Sequence, residues 1–200
     1  MIVLMSAFLL LSAFSCGGGN KANSTSEQSE ETAVNVPQFD ADSAYLYVKN
    51  QVDFGPRVPN TKEHVACGNY LAGQLEAFGA QVTNQYADLI AYDGTLLKAR
   101  NIIGSYKPES KKRIALFAHW DTRPWADNDP DEKNHNTPIL GANDGASGVG
   151  ALLEIARLVN QQQPELGIDI ILLDAEDYGA PQFYTGQHKE EFWCLGSQYW

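Results

Sequence analysis

The sequence predicts an α/β fold built on a central mixed, mostly parallel sheet, and three stretches predict it. Two apolar runs, residues 114–118 and 168–173, end abruptly in polar groups: the first in His119-Trp120-Asp121, the second in Asp174-Ala175-Glu176-Asp177. The first is uniformly apolar, as expected of a central strand covered on both faces. Between them, Gly141-Ala142-Asn143-Asp144-Gly145-Ala146-Ser147-Gly148 sets one carboxylate among small residues, just before a segment with Val149, Leu152, Leu153, Ala156 and Val159 on one helical side. Strand, helix and strand then form a crossover unit with both strands parallel in one sheet. Groups at their carboxyl ends gather at one edge.

The elements before this unit follow from local patterns. Residues 1–14 are almost entirely apolar, are too short to span a bilayer comfortably, and run into Ser15-Cys16 and three glycines. This stretch resembles a bacterial lipoprotein signal, which implies that 1–16 is a leader ending at the anchor residue and that Cys16 is lipidated. A plain secretory signal is the alternative, and either one implies export. The expected location is a membrane-anchored lipoprotein at the periplasmic or outer-membrane face. Residues 17–37 are rich in Gly, Asn, Ser, Thr and Glu and carry little apolar mass, so they read as a flexible tether with a reach of roughly 25 Å. Residues 38–200 make the folded domain.

From Asp40, the spacing of Ala44, Tyr45, Val48 and Val52 predicts a helix that stops before Phe54-Gly55-Pro56-Arg57-Val58-Pro59, a proline-rich loop. Asn60-Thr61-Lys62-Glu63 reads as a capping box for a helix with Cys67, Leu71, Leu75 and Phe78 on one face, and Gly79 is its natural stop. Residues 81–89 and 96–106 read as strands around a loose Asp93-Gly94 turn. Residues 107–112 are a polar turn. Residues 120–136 are a long acidic loop containing Arg123, Trp125, Asp127, Asp129 and Asp131, and Pro164 follows the end of the last long helix.

Two hundred residues with 44% hydrophobic content can bury one substantial core. The 25 acidic against 14 basic side chains, a formal charge of −11, argue against nucleic acid as a partner and favour peptides or small molecules. Cys67 and Cys194 can pair only if the fold brings them together, and two buried thiols are an equal expectation. His64, His135 and His188 stand in polar surroundings and read as surface residues.

His119, Asp121, Asp144, Glu176 and Asp177 are expected at one sheet edge. Carboxylates and imidazole without thiolate suit zinc. Neighbouring acids at 176 and 177 point in different directions from a strand end, so one can ligate while the other acts as general base in metal-assisted hydrolysis or acyl transfer.

These four ordered blocks, His119-Trp-Asp121, Gly141 to Gly148, Asp174-Ala-Glu176-Asp177 and Leu195-Gly196-Ser197, resemble the zinc exopeptidase family that contains bacterial aminopeptidases and glutaminyl cyclases. The resemblance implies a three-layer fold, Asp144 and Asp177 as zinc ligands and Glu176 as general acid/base. It implies that His119 matches a ligand of a second zinc in the aminopeptidases, that the cyclases keep one zinc and leave this histidine unligated, and that Asp121 orients it. Asp177 in place of Glu, the segment from His119 to Asp127, and the aromatic insertion 178–194 tilt the resemblance toward glutaminyl-peptide cyclotransferases, which act on peptides or proteins with N-terminal glutamine. Trp120, Phe183 and Trp193 are then candidates for the substrate pocket. The alternatives are a zinc aminopeptidase and an inactive homologue retained as a surface binding module. The family draws its last zinc ligand, a His, and its later strands from beyond the point matching Trp200, so the chain is expected to be a fragment.

Overall fold

A four-stranded sheet in the order β1-β2-β4-β3 is the frame on which every polar group of interest is placed. The structure, a computed structural model, describes residues 35–200; Cys16, the leader and tether residues 17–34 lie outside the described residues. In chain order the elements are α1 (Ala41–Val52), α2 (Lys62–Ala77), β1 (Gln81–Ile90), β2 (Leu96–Tyr106), β3 (Arg113–His119), α3 (Gly148–Gln161), β4 (Gly167–Leu173) and α4 (Leu195–Tyr199). β1 pairs antiparallel with β2, β2 antiparallel with β4, and β3 parallel with β4, so the sheet is mixed and the crossover pair is parallel as expected. Among the described residues no helix is long and apolar enough to cross a membrane.

Alternation along β2 and β4 sorts the layers. Ile102, Tyr106, Ile168, Ile170 and Leu172 turn to one face and pack with Cys67, Leu71 and Leu75 of α2 and Val149, Leu153 and Ala156 of α3. Leu97 and Ala99 turn to the other face, where they meet Ala175 and Leu195 at the start of α4. Helices therefore stand on both faces.

Three local expectations change. The cap of α2 is Thr61, whose side chain accepts from His64 N, while Asn60 takes φ 75° and uses its side chain on Leu96 O (2.9 Å) and Lys98 N (2.8 Å). The cap expected at Asn60 is thus displaced by one residue, which puts His64 rather than Glu63 at the third helical position, because Asn60 tolerates the left-handed region and clamps the start of β2 instead. Tyr45 is exposed and does not share the buried face of α1. β3 is apolar yet lies at the edge of the described sheet with Ile114 and Phe117 exposed, since its one ladder is with β4 and the short α4 covers little of that face. Cys67 is buried and Cys194 half-buried, and both are free thiols.

Helices α1 and α3 meet at Gly150, where a Cβ would lie 2.7 Å from Val48 Cγ2 and 2.8 Å from Ala44 O. Gly150 stands in the first turn of α3, and replacing a helical Gly by Ala ordinarily gains up to about 1 kcal/mol. Here overpacking reverses the sign, and Gly150→Ala is expected to lower stability by about 1–3 kcal/mol in thermal unfolding. A midpoint at or above the parent's would show that α1 yields to the methyl group.

Candidate active site

The parallel β3–β4 ladder ends with Trp120 N donating to Leu173 O at 3.0 Å, which brings the two polar strand ends side by side. Asp121, fully buried, sits one residue further on. Its carboxylate accepts from Glu176 N (3.1 Å) and Asp177 N (3.3 Å). The two adjacent acids consequently part: Glu176 Oε1 accepts from Cys194 Sγ at 3.2 Å, while Asp177 Oδ1 faces Arg123 Nη1 at 3.5 Å. Ala175, at φ 50°, makes the sharp turn that begins this divergence.

Asp144 arrives from the other side, in a wide helical turn (Ala142–Ser147) that precedes α3. Two features hold that turn against β3. Arg57, fully buried in the proline-rich loop, donates to Trp120 O (3.1 Å), Leu140 O (2.8 Å) and Gly141 O (2.9 Å). Gly145 lies so close to β3 that a Cβ would stand 2.3 Å from His119 O and 2.8 Å from His119 Nε2. Only glycine permits that approach, and it leaves His119 Nε2 at 2.7 Å from Asp144 Oδ1.

The five groups expected together are therefore together. His119 Nδ1 is buried without a hydrogen bond, 3.6 Å from Asp121 Oδ1 and 3.8 Å from Glu176 Oε2. Burial opposes charge on this imidazole, but Asp121, Glu176 and Asp144 outweigh it and push its pKa up to about 9. Burial pushes Asp177 up to about 7, with Asp121, Asp144 and Glu176 adding to the effect against the pull of Arg123. Burial and the neighbouring Glu176 push the Cys194 thiol up to about 11, so it stays protonated beside that carboxylate.

Asp144 and Asp177 share a cavity of about 500 Å³ with Arg123, Trp125, Asp127 and Trp193. Trp193 is thus at the cavity, and Phe183 is 45% exposed and stacked on His135, away from its lining. Trp120 does not line it: the ring is fully buried, stacked on His64 at 4.3 Å, and donates through Nε1 to Arg100 O (3.1 Å). Alternation is the reason, since Trp120 follows His119 and turns to the opposite face of the strand end. His64 is likewise not a surface residue. It is buried on α2, its Nε2 lies 2.8 Å from Asp174 Oδ2, and burial pushes that carboxyl up despite the histidine. Helical periodicity could have found it, because His64 stands three and seven positions before Cys67 and Leu71 on the apolar face. Arg57 gave no comparable signal.

Clustered, mutually repelling carboxylates with a buried, unbonded imidazole nitrogen are what a divalent cation would relieve, and the oxygen and nitrogen donors suit zinc. Among the described residues no group of three or more His, Cys, Asp or Glu side chains is arranged to hold an ion, so Asp144 and Asp177 form a partial set.

With divalent ions removed, both shifts act in the same direction on stability. His119 contributes stability that is fully present below 6.5 and is lost as pH rises through about 9. Asp177, a carboxyl raised from 3.8 to about 7, holds its proton more tightly when folded, so its contribution is present below 3.8 and lost by about 7. The chelated chain is expected to lose on the order of 3 kcal/mol from each group across its window. Thermal unfolding against pH checks this: Asp177→Asn should flatten the acidic part of the decline and His119→Gln the alkaline part.

Residues 101–200 match the model described as Peptidase family M28. A glutaminyl cyclase of Bacteroides thetaiotaomicron, solved bound to N-acetylhistamine, is 94% identical, with a TM-score of 0.82 over 83% of this chain and 57% of that one. A leucine aminopeptidase precursor from Bacteroides thetaiotaomicron VPI-5482 is 95% identical, with a TM-score of 0.83 over 84% of this chain and 58% of that one. The glutaminyl cyclase of Tannerella forsythia is 58% identical, with a TM-score of 0.80 over 82% of this chain and 56% of that one. The chain therefore spans somewhat more than half the length of these structures, and its mixed sheet with helices on both faces is theirs. With residues 101–200, half of its length, matching the family model, the chain belongs to peptidase family M28.

Proposed function

We propose that this chain carries the catalytic carboxylates of a zinc-assisted glutaminyl-peptide cyclotransferase, which converts the N-terminal glutamine of peptides or proteins to pyroglutamate with release of ammonia. The observation that carries the reading is the divergence of Glu176 and Asp177 about the buried Asp121 carboxylate, which leaves one acid half-exposed and turns the other into the cavity beside Asp144. Two solved structures similar to this chain are described as glutaminyl cyclases, which supports the same reading.

In this reading Asp144 and Asp177 would hold one zinc ion, with a further ligand from outside the described set. Zinc, when bound, would polarise the side-chain amide of the substrate glutamine. Trp193 and Trp125 line one wall of the cavity. Glu176 takes a proton from the attacking α-amine as the ring C–N bond forms, then passes it to the departing amide nitrogen, which leaves as ammonia. The protonated Cys194 thiol and His119 flank Glu176 and keep its carboxylate in place between these two transfers.

We further propose that such an enzyme is exported and acts at the cell surface. The apolar leader ending in Cys16 would anchor it to a membrane through lipid, with the tether from Gly17 holding the domain off the bilayer.

A zinc aminopeptidase is the second reading. It is favoured by the contact of His119 Nε2 with Asp144 Oδ1, since two groups so close could share metals, and by the similarity to a leucine aminopeptidase precursor.

Glu176→Gln is expected to lower cyclisation of a Gln-leading peptide by about 10²–10⁴-fold, the usual worth of a general acid–base group. Zinc should stay bound in that variant, whereas Asp177→Ala should lose it, as read by elemental analysis after dialysis. Assays should follow ammonia from the Gln-leading peptide and leucine from a leucyl substrate. Dominant leucine release with two zinc ions, one of them lost in His119→Ala, would replace the cyclase reading by the aminopeptidase one.

A further inference from the structure

Arg123 has 9% of its side chain exposed and its partner Asp127 has 1%. The guanidinium donates through Nε to Asp127 Oδ1 (2.7 Å) and through Nη2 to Asp127 Oδ2 (2.6 Å), a forked pair. Its other edge meets the main chain of the next layer, with Nη1 donating to Asp177 O (3.1 Å) and Gly179 O (3.4 Å) and Nη2 to Ala180 O (3.5 Å). The same Nη1 lies 3.5 Å from Asp177 Oδ1.

The face of the guanidinium is occupied as well. Its central carbon stands 4.8 Å from the ring centroid of Trp193. On the backbone side, a Cβ at Gly179 would fall 2.1 Å from Trp193 Cε2, so the indole packs directly on that glycine. Trp193 is thus held by Gly179 and Arg123 together, and Gly179 O is itself bonded by Arg123. Asp127 completes the frame, because Oδ2 also accepts from Gln182 N at 2.8 Å.

A buried ion pair is a poor means of stabilisation, since desolvation consumes most of its Coulomb energy. What a planar, forked, always-charged group supplies is geometry. Its contacts gather at the cavity wall, on Asp177, Asp127 and Ala180 and on the rings of Trp193 and, with a centroid 5.6 Å away, Trp125.

We infer that Arg123 is a positioning residue that fixes the Asp177 carboxylate and the Trp193 ring in one rigid frame, so that seating of the metal ion and seating of the substrate side chain are set together. The inference rests on the proposed zinc role of Asp177 and the proposed substrate role of the cavity. It assigns Arg123 no contact with the reacting atoms.

The test compares Arg123→Met and Arg123→Lys with the parent, each alone and with Trp193→Phe, by zinc competition against a chromogenic chelator, tryptophan emission and the split of KM from kcat. Arg123→Met is expected to weaken zinc binding by about 10–100-fold, as loss of a partner that orients a ligand does. Its emission should shift in the parent background and by clearly less in Trp193→Phe, where only the more distant Trp125 ring faces residue 123. Arg123→Lys retains a cation near Asp177 and should recover zinc affinity to within about threefold, yet KM should rise about fivefold with kcat little changed, because the fork and ring stack are lost. A purely structural role would lower the melting temperature of both variants alike and leave zinc affinity, KM and the Trp193-dependent emission at parent values; that result overturns the inference. If Arg123→Met does not fold, Arg123→Lys decides, and parent-like KM and emission in it overturn the inference. A parent that binds no zinc would sink the zinc reading instead, and the Trp193-dependent emission would still decide the role of Arg123.

Discussion

The carboxylate of Asp121 is the contact on which the site depends. It is fully removed from water and takes the main-chain N–H groups of both Glu176 and Asp177. A buried carboxylate left without such donors would cost several kcal/mol. Here that requirement is met by main-chain groups from the end of the neighbouring strand, so satisfying Asp121 and shaping the Glu176–Asp177 turn are one event. Side chains can be exchanged without altering those N–H groups, which makes the turn a property of the β3–β4 ladder more than of the acids it presents.

The same logic repeats around the site with different partners. Asp174, at the end of β4, is buried against His64 and accepts from Arg100 N (2.6 Å) and Ala175 N (2.7 Å). Asp127 is buried against Arg123. Arg57 satisfies its guanidinium on carbonyls of the segments that precede Asp121 and Asp144. Asp121 and Arg57 are thereby bonded to backbone at or beside candidate functional residues, and Arg123 to the main chain of Asp177 itself. Electrostatic satisfaction in the interior and placement of the site are therefore carried by the same hydrogen bonds, and disturbing one disturbs the other.

The cavity owes its walls to a different constraint. Trp193 reaches it from an insertion with little regular structure, and it does so because Gly179 allows the indole to lie on the main chain while Arg123 closes over the ring. The aromatic content of residues 178–193 was visible in the sequence, but content does not select a face. Phe183 stacks with His135 and stays half-exposed, although its composition-level credentials equal those of Trp193.

By itself, the sequence determined the elements and the cluster at the strand ends. Short apolar runs with abrupt polar ends at His119 and Asp174, and apolar spacing of period 3.6 in the helices, are local signals, and the parallel crossover follows from chain chirality. That is why His119, Asp121, Asp144, Glu176 and Asp177 are legible in the sequence as one cluster. Tertiary structure alone decided which polar residues are buried. His64, Arg57 and the Arg123–Asp127 pair have surface-like composition and become interior only because partners 110, 63 and 54 positions away along the chain satisfy them. It also decided that Trp120 turns into the core while Trp193 faces the cavity. Such choices are made by long-range hydrogen bonds and by close backbone approaches at single glycines, and neither leaves a periodic trace in the amino-acid sequence.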